Sequence, residues 1–171
     1  GRLGHGDEEP QLLPKKIEAI ARHHVVAVSA GASHNLAVTA DGAVWSWGFG
    51  GHGHLGFGSS WSRRRARGVD AQDQLLPKKV EALAHRVVAV SAGIYHSLVL
   101  TADGAVWSWG MGGMLGHAHG DEQQQRQPKK VEAFPDQRVV AVSAGDEHSL
   151  AITADGAFFT WGKGEHACLG H

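Results

Sequence analysis

The chain has one cysteine, Cys168, among 171 residues, so no internal disulfide holds it. A single thiol fits a reducing compartment, cytoplasmic or nuclear. Proline is scarce at five, and tyrosine occurs once. No apolar run approaches the roughly 18–20 residues that cross a bilayer as a helix, and no basic-then-apolar segment opens the chain. Neither charge sign dominates: 16 Lys and Arg stand against 17 Asp and Glu, a formal net charge of −1. That balance gives no general pull toward nucleic acid or an anionic membrane. Helical periodicity is missing beyond a turn or two, with residues 17–23 and 80–83 the candidates.

What is present is repetition. Residues 25–48 recur at 87–110 and again at 139–162, and a period of this size marks a solenoid or a propeller. Each copy opens on a run such as Val25-Val26-Ala27-Val28, whose β-branched and small residues suit a buried pleated strand. Gly31, Gly93 and Gly145 end that run. A second strand is expected over 34–39, with Leu36 and Val38 on one face, and a third over 43–47. Asp41-Gly42, Asp103-Gly104 and Asp155-Gly156 lie between them. Asp-Gly between apolar runs predicts a two-residue type I′ hairpin. Residues 14–18, Pro-Lys-Lys-Ile-Glu, supply a short fourth strand upstream, with Pro14 at its start or on an edge. Four short antiparallel strands per repeat make a propeller blade.

The expected fold is therefore all-β, a partial propeller of about three blades over residues 1–171. Approximate repeats are 1–52, 53–112 and 113–166, with 167–171 starting another. The chain opens on Gly1-Arg2-Leu3-Gly4 and closes on Leu169-Gly170-His171. It thus reads as a piece of a longer array, whose open blade edges favour self-association.

The repeat resembles the regulator of chromosome condensation family. That pattern is Pro-x-x-Val, then Val-x-x-Val-x-x-Gly-x-x-His-x-x-x-Leu-x-x-x-Gly-x-x-x-x-Trp-Gly, then Gly-x-Leu-Gly. Gly31, His34, Gly42, Trp47 and Gly48 carry it in the first copy. Gly93, His96, Gly104, Trp109 and Gly110 carry it in the second, and Gly145, His148, Gly156, Trp161 and Gly162 in the third. The resemblance implies a β-propeller, usually of seven blades, and a protein-interaction or regulatory module within a larger chain, ubiquitin ligases included. It also implies, as an alternative, nucleotide exchange on a Ran-like small GTPase; a further alternative, read from the Arg-rich loop at 63–67, is chromatin or nucleic-acid association. The repeats are similar to those of plant ultraviolet-B photoreceptors as well. Their sensing tryptophans lie in Gly-Trp-Arg-His, and 31–34, 93–96 and 145–148 here lack the tryptophan.

Residues that carry chemistry elsewhere have structural explanations here. Recurrence of His34, His96 and His148 in every copy points to rings that hydrogen-bond a neighbouring loop, since active sites are rarely repeated blade by blade. His52 with His54, and His117 with His119, form His-x-His pairs that lack a third ligand of fixed spacing. No nucleophile–base pair or phosphate-cradling loop is evident. No enzyme activity, metal or cofactor is expected. The departure from the repeat is an insertion: Leu55 to Lys79 spans 25 residues, against 14 from Leu3 to Lys16. It holds Trp61, Arg63, Arg64, Arg65 and Arg67. A short basic cluster with an aromatic contacts phosphates or an acidic protein surface. With the loops at 7–13 and 117–127, it is the expected place of partner contact.

Overall fold

The computed structural model describes residues 1–58, 73–117, 124–164 and 169–170. Eleven strands form among them: β1 (Val25–Ala30), β2 (His34–Thr39), β3 (Val44–Gly48), β4 (Gln74–Lys79), β5 (Val87–Ala92), β6 (His96–Thr101), β7 (Val106–Gly110), β8 (Gln125–Lys130), β9 (Val139–Ala144), β10 (His148–Thr153) and β11 (Phe158–Gly162). Among the described residues, helix is confined to two single 3-10 turns, Glu18–Ile20 and Gly112–Met114. The strands make three antiparallel sheets, ordered β1-β2-β3-β4, β5-β6-β7-β8 and β9-β10-β11. These are propeller blades, two of four strands and one of three.

The fourth strand is not where sequence order suggested. Residues 14–16 are exposed and belong to no strand, and 18–20 form the 3-10 turn. The Pro-Lys-Lys strand instead completes the blade before it. Trp45 faces Lys79 and Gly48 faces Gln74 across β3 and β4. Trp107 faces Lys130 and Gly110 faces Gln125 across β7 and β8. A bulge in each pairing accommodates Pro77 or Pro128 on the outer strand, where a missing N–H breaks no further ladder. Each of the first two blades therefore borrows its last strand from the next sequence repeat, and that strand straps it to the next blade.

The hairpin also differs from expectation. Gly42 N–H donates to the Thr39 carbonyl at 2.7 Å, and Thr39 N–H donates to the Ala43 carbonyl at 3.0 Å. The connection is thus three residues long, closed by Gly42 at φ +84°. Such a loop pairs a turn with a glycine bulge, in place of the shorter type I′ turn. Asp41 fixes the loop by accepting from Thr39 Oγ1 at 2.5 Å and from Ala43 N–H at 3.3 Å. The threonine hydroxyl, first among several contacts, holds the Asp41 carboxyl below its ordinary range. Asp103 and Asp155 repeat the arrangement with Thr101 and Thr153.

The core lies between blades more than within them. Leu36, Val38 and Val44 of the first blade pack in one cluster with Val87, Val99 and Trp109 of the second. Leu100 and Val106 of the second join Val139, Ala151 and, at the edge of the cluster, Trp161 of the third. The third blade has no successor among the described residues. Its Ile152 and Phe158 are 41% and 61% exposed, where the equivalent Val38 and Val44 are 0% and 1%.

The Asp-Gly turn joins this interface. The Gly42 carbonyl accepts from Val87 N–H at 3.1 Å, as Gly104 does from Val139. A Cβ on Gly42 would sit 2.5 Å from Arg86 Cγ and 2.9 Å from Arg86 Cα. Gly156 has φ +87° but meets nothing within 4 Å. Gly42→Ala and Gly156→Ala therefore share the backbone strain of a left-handed alanine, about 1–2 kcal/mol. Only the first adds a collision with the next blade, a further ~1–3 kcal/mol. Urea unfolding of the two variants checks this; equal losses would show that the turn does not brace the next blade.

Candidate functional site

Each loop after a blade's third strand presents one backbone carbonyl to the following blade. The His54 carbonyl accepts from Trp109 Nε1–H at 2.7 Å and from Ser97 Oγ–H at 2.8 Å. The Met114 carbonyl accepts from Trp161 Nε1–H at 3.0 Å and Ser149 Oγ–H at 2.9 Å. In the first copy, the Arg2 carbonyl accepts from Trp47 Nε1–H at 3.0 Å and Asn35 Nδ2 at 2.7 Å. Both lone pairs of each carbonyl are used. The loop comes this close because of its glycine. Gly56 has φ +81°, and a Cβ there would lie 2.9 Å from Trp109 Nε1.

The repeated histidines complete the link. A serine hydroxyl has one hydrogen, and Ser97 spends it on the His54 carbonyl. Its oxygen therefore accepts from His34 Nε2–H at 2.8 Å. Ser149 likewise accepts from His96 Nε2–H at 2.9 Å. The proton sits on Nε2 in both rings, leaving Nδ1 buried and bare. Imidazole, serine and carbonyl form a chain from one blade to the next, the ring meeting a serine on a strand where the sequence suggested a loop. His148 is only partly buried, since no serine from a following blade is present among the described residues.

Burial sets the electrostatics of this row. His34 is held well below its ordinary pKa by desolvation first, then by His54 and His96. His96 is lowered to about 4 by desolvation, then by His148 and His54. His54 is lowered to about 4 by desolvation, with His52 adding to it and the Phe49 backbone opposing. The His54 ring lies 4.3 Å from that of His34, centre to centre. These rings are neutral at pH 7. Among the described residues, no three His, Cys, Asp or Glu side chains are grouped to hold a metal.

The other repeated residues serve the same frame. A Cβ on Gly31 would come 2.3 Å from the Gly93 carbonyl, and one on Gly93 would come 2.5 Å from that of Gly145. Gly48, Gly110 and Gly162 let the strand end pass within 2.3–2.6 Å, Cβ position to oxygen, of Ser33, Tyr95 and Glu147. Trp47 and Trp109 are buried, and Trp45 and Trp107 lie tilted against His23 and His85 at 4.6 and 4.8 Å between ring centres. His52 meets Tyr95 edge-on at 4.9 Å. Trp61, Arg63, Arg64, Arg65, Arg67 and His119 lie outside the described residues. Sequence reading missed Ser97, Ser149 and the three acceptor carbonyls. The signal was a short polar residue directly after each histidine, with a glycine-bounded loop one blade earlier.

The regulator of chromosome condensation (RCC1) repeat profile matches residues 1–38, 41–100 and 103–152, and a second profile of the repeat matches 25–53, 87–114 and 139–168. The chain belongs to the RCC1 repeat family. Human E3 ubiquitin-protein ligase HERC2 is 42% identical over 176 residues, covering 100% of this chain and 3% of that protein. Ultraviolet-B receptor UVR8 of Arabidopsis thaliana is 32% identical over 212 residues, covering 99% of this chain and 48% of the receptor. The crystal structure of Prp20p from Saccharomyces cerevisiae superposes with a TM-score of 0.78 at 27% identity, over 99% of this chain and 40% of that one. This chain thus spans less than half the length of each of these RCC1-repeat relatives.

Neutral buried histidines link stability to pH. Unfolded histidines take up protons near pH 6.5, while His54 and His96 in the fold resist to about 4. Between those values the unfolded state binds more protons, so stability falls as pH falls. The slope is at most about 1.4 kcal/mol per pH unit for each ring. Urea midpoints at pH 7, 6 and 5 measure it. His54→Met copies the residue at the equivalent Met114 and keeps the carbonyl, so it should flatten the slope by about one proton. Identical midpoints at pH 7 and pH 5 would contradict the neutral row.

Proposed function

We propose that this RCC1-repeat chain acts as a protein-interaction module, with partner choice resting in its variable loops. One observation carries the reading. The repeated chemistry is turned inward, with His34, His96, Ser97, Ser149, Trp109 and Trp161 all linking blade to blade. The connecting segments at 7–13, 59–75 and 117–127 differ in length and in most of their residues. A rigid scaffold with variable loops is how repeat proteins present a binding face. Trp61, Arg63, Arg64, Arg65 and Arg67 are the contact residues of this reading, and an acidic protein surface is their complement. A cytoplasmic or nuclear setting suits it, and so does self-association through open blade edges.

The second reading is GTPase regulation, favoured by the likeness to Prp20p, whose crystal structure was described with its binding to Gsp1p and histones. The two readings separate by nucleotide release. The interaction reading expects micromolar chain to leave release of labelled nucleotide from a Ran-like GTPase unchanged. Acceleration of tenfold or more would replace it with exchange. Separately, Arg63→Gln, Arg64→Gln, Arg65→Gln and Arg67→Gln together should remove partners recovered by proximity labelling with the wild type. An unchanged set would take the loop out of the account.

A further inference from the structure

The three repeats share one run without change: residues 25–31, 87–93 and 139–145 all read Val-Val-Ala-Val-Ser-Ala-Gly. Two residues later every copy has its histidine, His34, His96 or His148. Between glycine and histidine nothing is shared. The pairs are Ala32-Ser33, Ile94-Tyr95 and Asp146-Glu147. The residue after each third strand also differs, being Phe49, Met111 or Lys163.

The fold brings these changing positions together. Phe49 N–H donates to the Ser33 carbonyl at 2.9 Å, Met111 N–H to that of Tyr95 at 3.0 Å, and Lys163 N–H to that of Glu147 at 2.9 Å. Each blade thus has one corner of fixed backbone that carries three variable side chains. The corners stand side by side, since a Cβ on Gly31 or Gly93 would strike the glycine carbonyl of the next blade. They lie at the end of the blades opposite the Asp-Gly turns. This is a face and not a sheet edge, and the middle corner has a blade on either side. Along the row the chemistry changes. Ile94, Tyr95 and Met111 make the middle corner apolar, and all three are half-buried. The loop before it adds to the patch, with the His52 ring edge-on to Tyr95 at 4.9 Å and to Phe49 at 5.7 Å. Aromatic residues and methionine are enriched where proteins meet. The third corner is charged. Glu147 accepts from Lys163 Nζ at 2.8 Å, whereas Asp146 is exposed and enters no ion pair among the described residues.

We propose that these corners form a docking strip for a polypeptide segment that carries Lys or Arg beside a bulky apolar residue. The apolar side chain rests against Phe49, His52, Ile94 and Tyr95, and the cation faces Asp146. The proposal rests on the interaction-module reading and goes beyond it. It names a face outside the long loops, and a partner chemistry opposite to that of the Arg-rich insertion. Apolar contact with the aromatic patch supplies affinity. The single carboxylate sets orientation and rejects acidic segments. It also repels phosphate, so this face suits polypeptide and not nucleic acid.

Random dodecapeptides displayed on phage and panned on the whole chain test this, with recovered sequences resynthesised and titrated by fluorescence anisotropy. The binders should carry Lys or Arg within a few residues of Phe, Trp, Leu or Met. The Ile94→Ala, Tyr95→Ser variant copies Ala32-Ser33 of the first repeat, so the frame accepts it. It should weaken binding by about tenfold or more. Asp146→Lys alters one exposed side chain. It should weaken the same peptides comparably and favour versions in which Glu replaces their Lys or Arg. Urea midpoints check both folds, and if the double variant's falls, the charge reversal alone decides. Binders without the basic and apolar pair, binders indifferent to both changes, or no binder at all overturn the strip. The interaction-module reading fails separately, on an empty proximity-labelled set for the wild type.

Discussion

A buried carbonyl that must be satisfied from the neighbouring blade is the constraint on which the rest depends. The His54 oxygen accepts from an indole and a serine, and the serine in turn accepts from a histidine of the preceding blade. Each such hydrogen bond contributes only about 1 kcal/mol net, but an unsatisfied buried partner costs about 1–3 kcal/mol. The group is therefore kept whole or lost together. That is why glycine, histidine and tryptophan recur at fixed spacing. The glycine admits the loop, the tryptophan and serine meet its carbonyl, and the histidine ties the serine back.

The same constraint explains why function moves outward. Polar groups consumed in blade-to-blade links are held neutral or fully bonded, and burial keeps the histidine row uncharged at pH 7. Such a row offers rigidity more than reactivity. The apolar core follows the same logic, being shared across blade boundaries. A repeat protein built this way is stable through nearest-neighbour interfaces, and its terminal faces are its weak points.

Much of this was legible in the residues. β1, β2, β5 and their third-copy equivalents follow from valine-rich and alternating runs, and the family was readable from glycine, histidine and tryptophan spacing. Two local readings went astray for physical reasons. Asp41-Gly42 looked like a two-residue turn, yet the Thr39 hydroxyl and Ala43 amide draw the aspartate into a three-residue loop. Residues 14–18 looked like a strand of their own blade, since sequence order does not say which neighbour a strap joins. The Ser97 and Ser149 links were hidden because a serine's partner here lies 43 or 35 residues earlier in the chain. Nothing in local pattern reports such a pairing.

The most direct test of the shared-carbonyl link is a double-mutant cycle on His96 and Ser149. His96→Ala, Ser149→Ala and the double variant are compared by urea unfolding at pH 7. The account predicts that the two losses are coupled by about 1 kcal/mol or more, within the range for residues in one hydrogen-bonded network. Losses that simply add would mean that histidine and serine act independently, and that the blades are held by apolar packing alone.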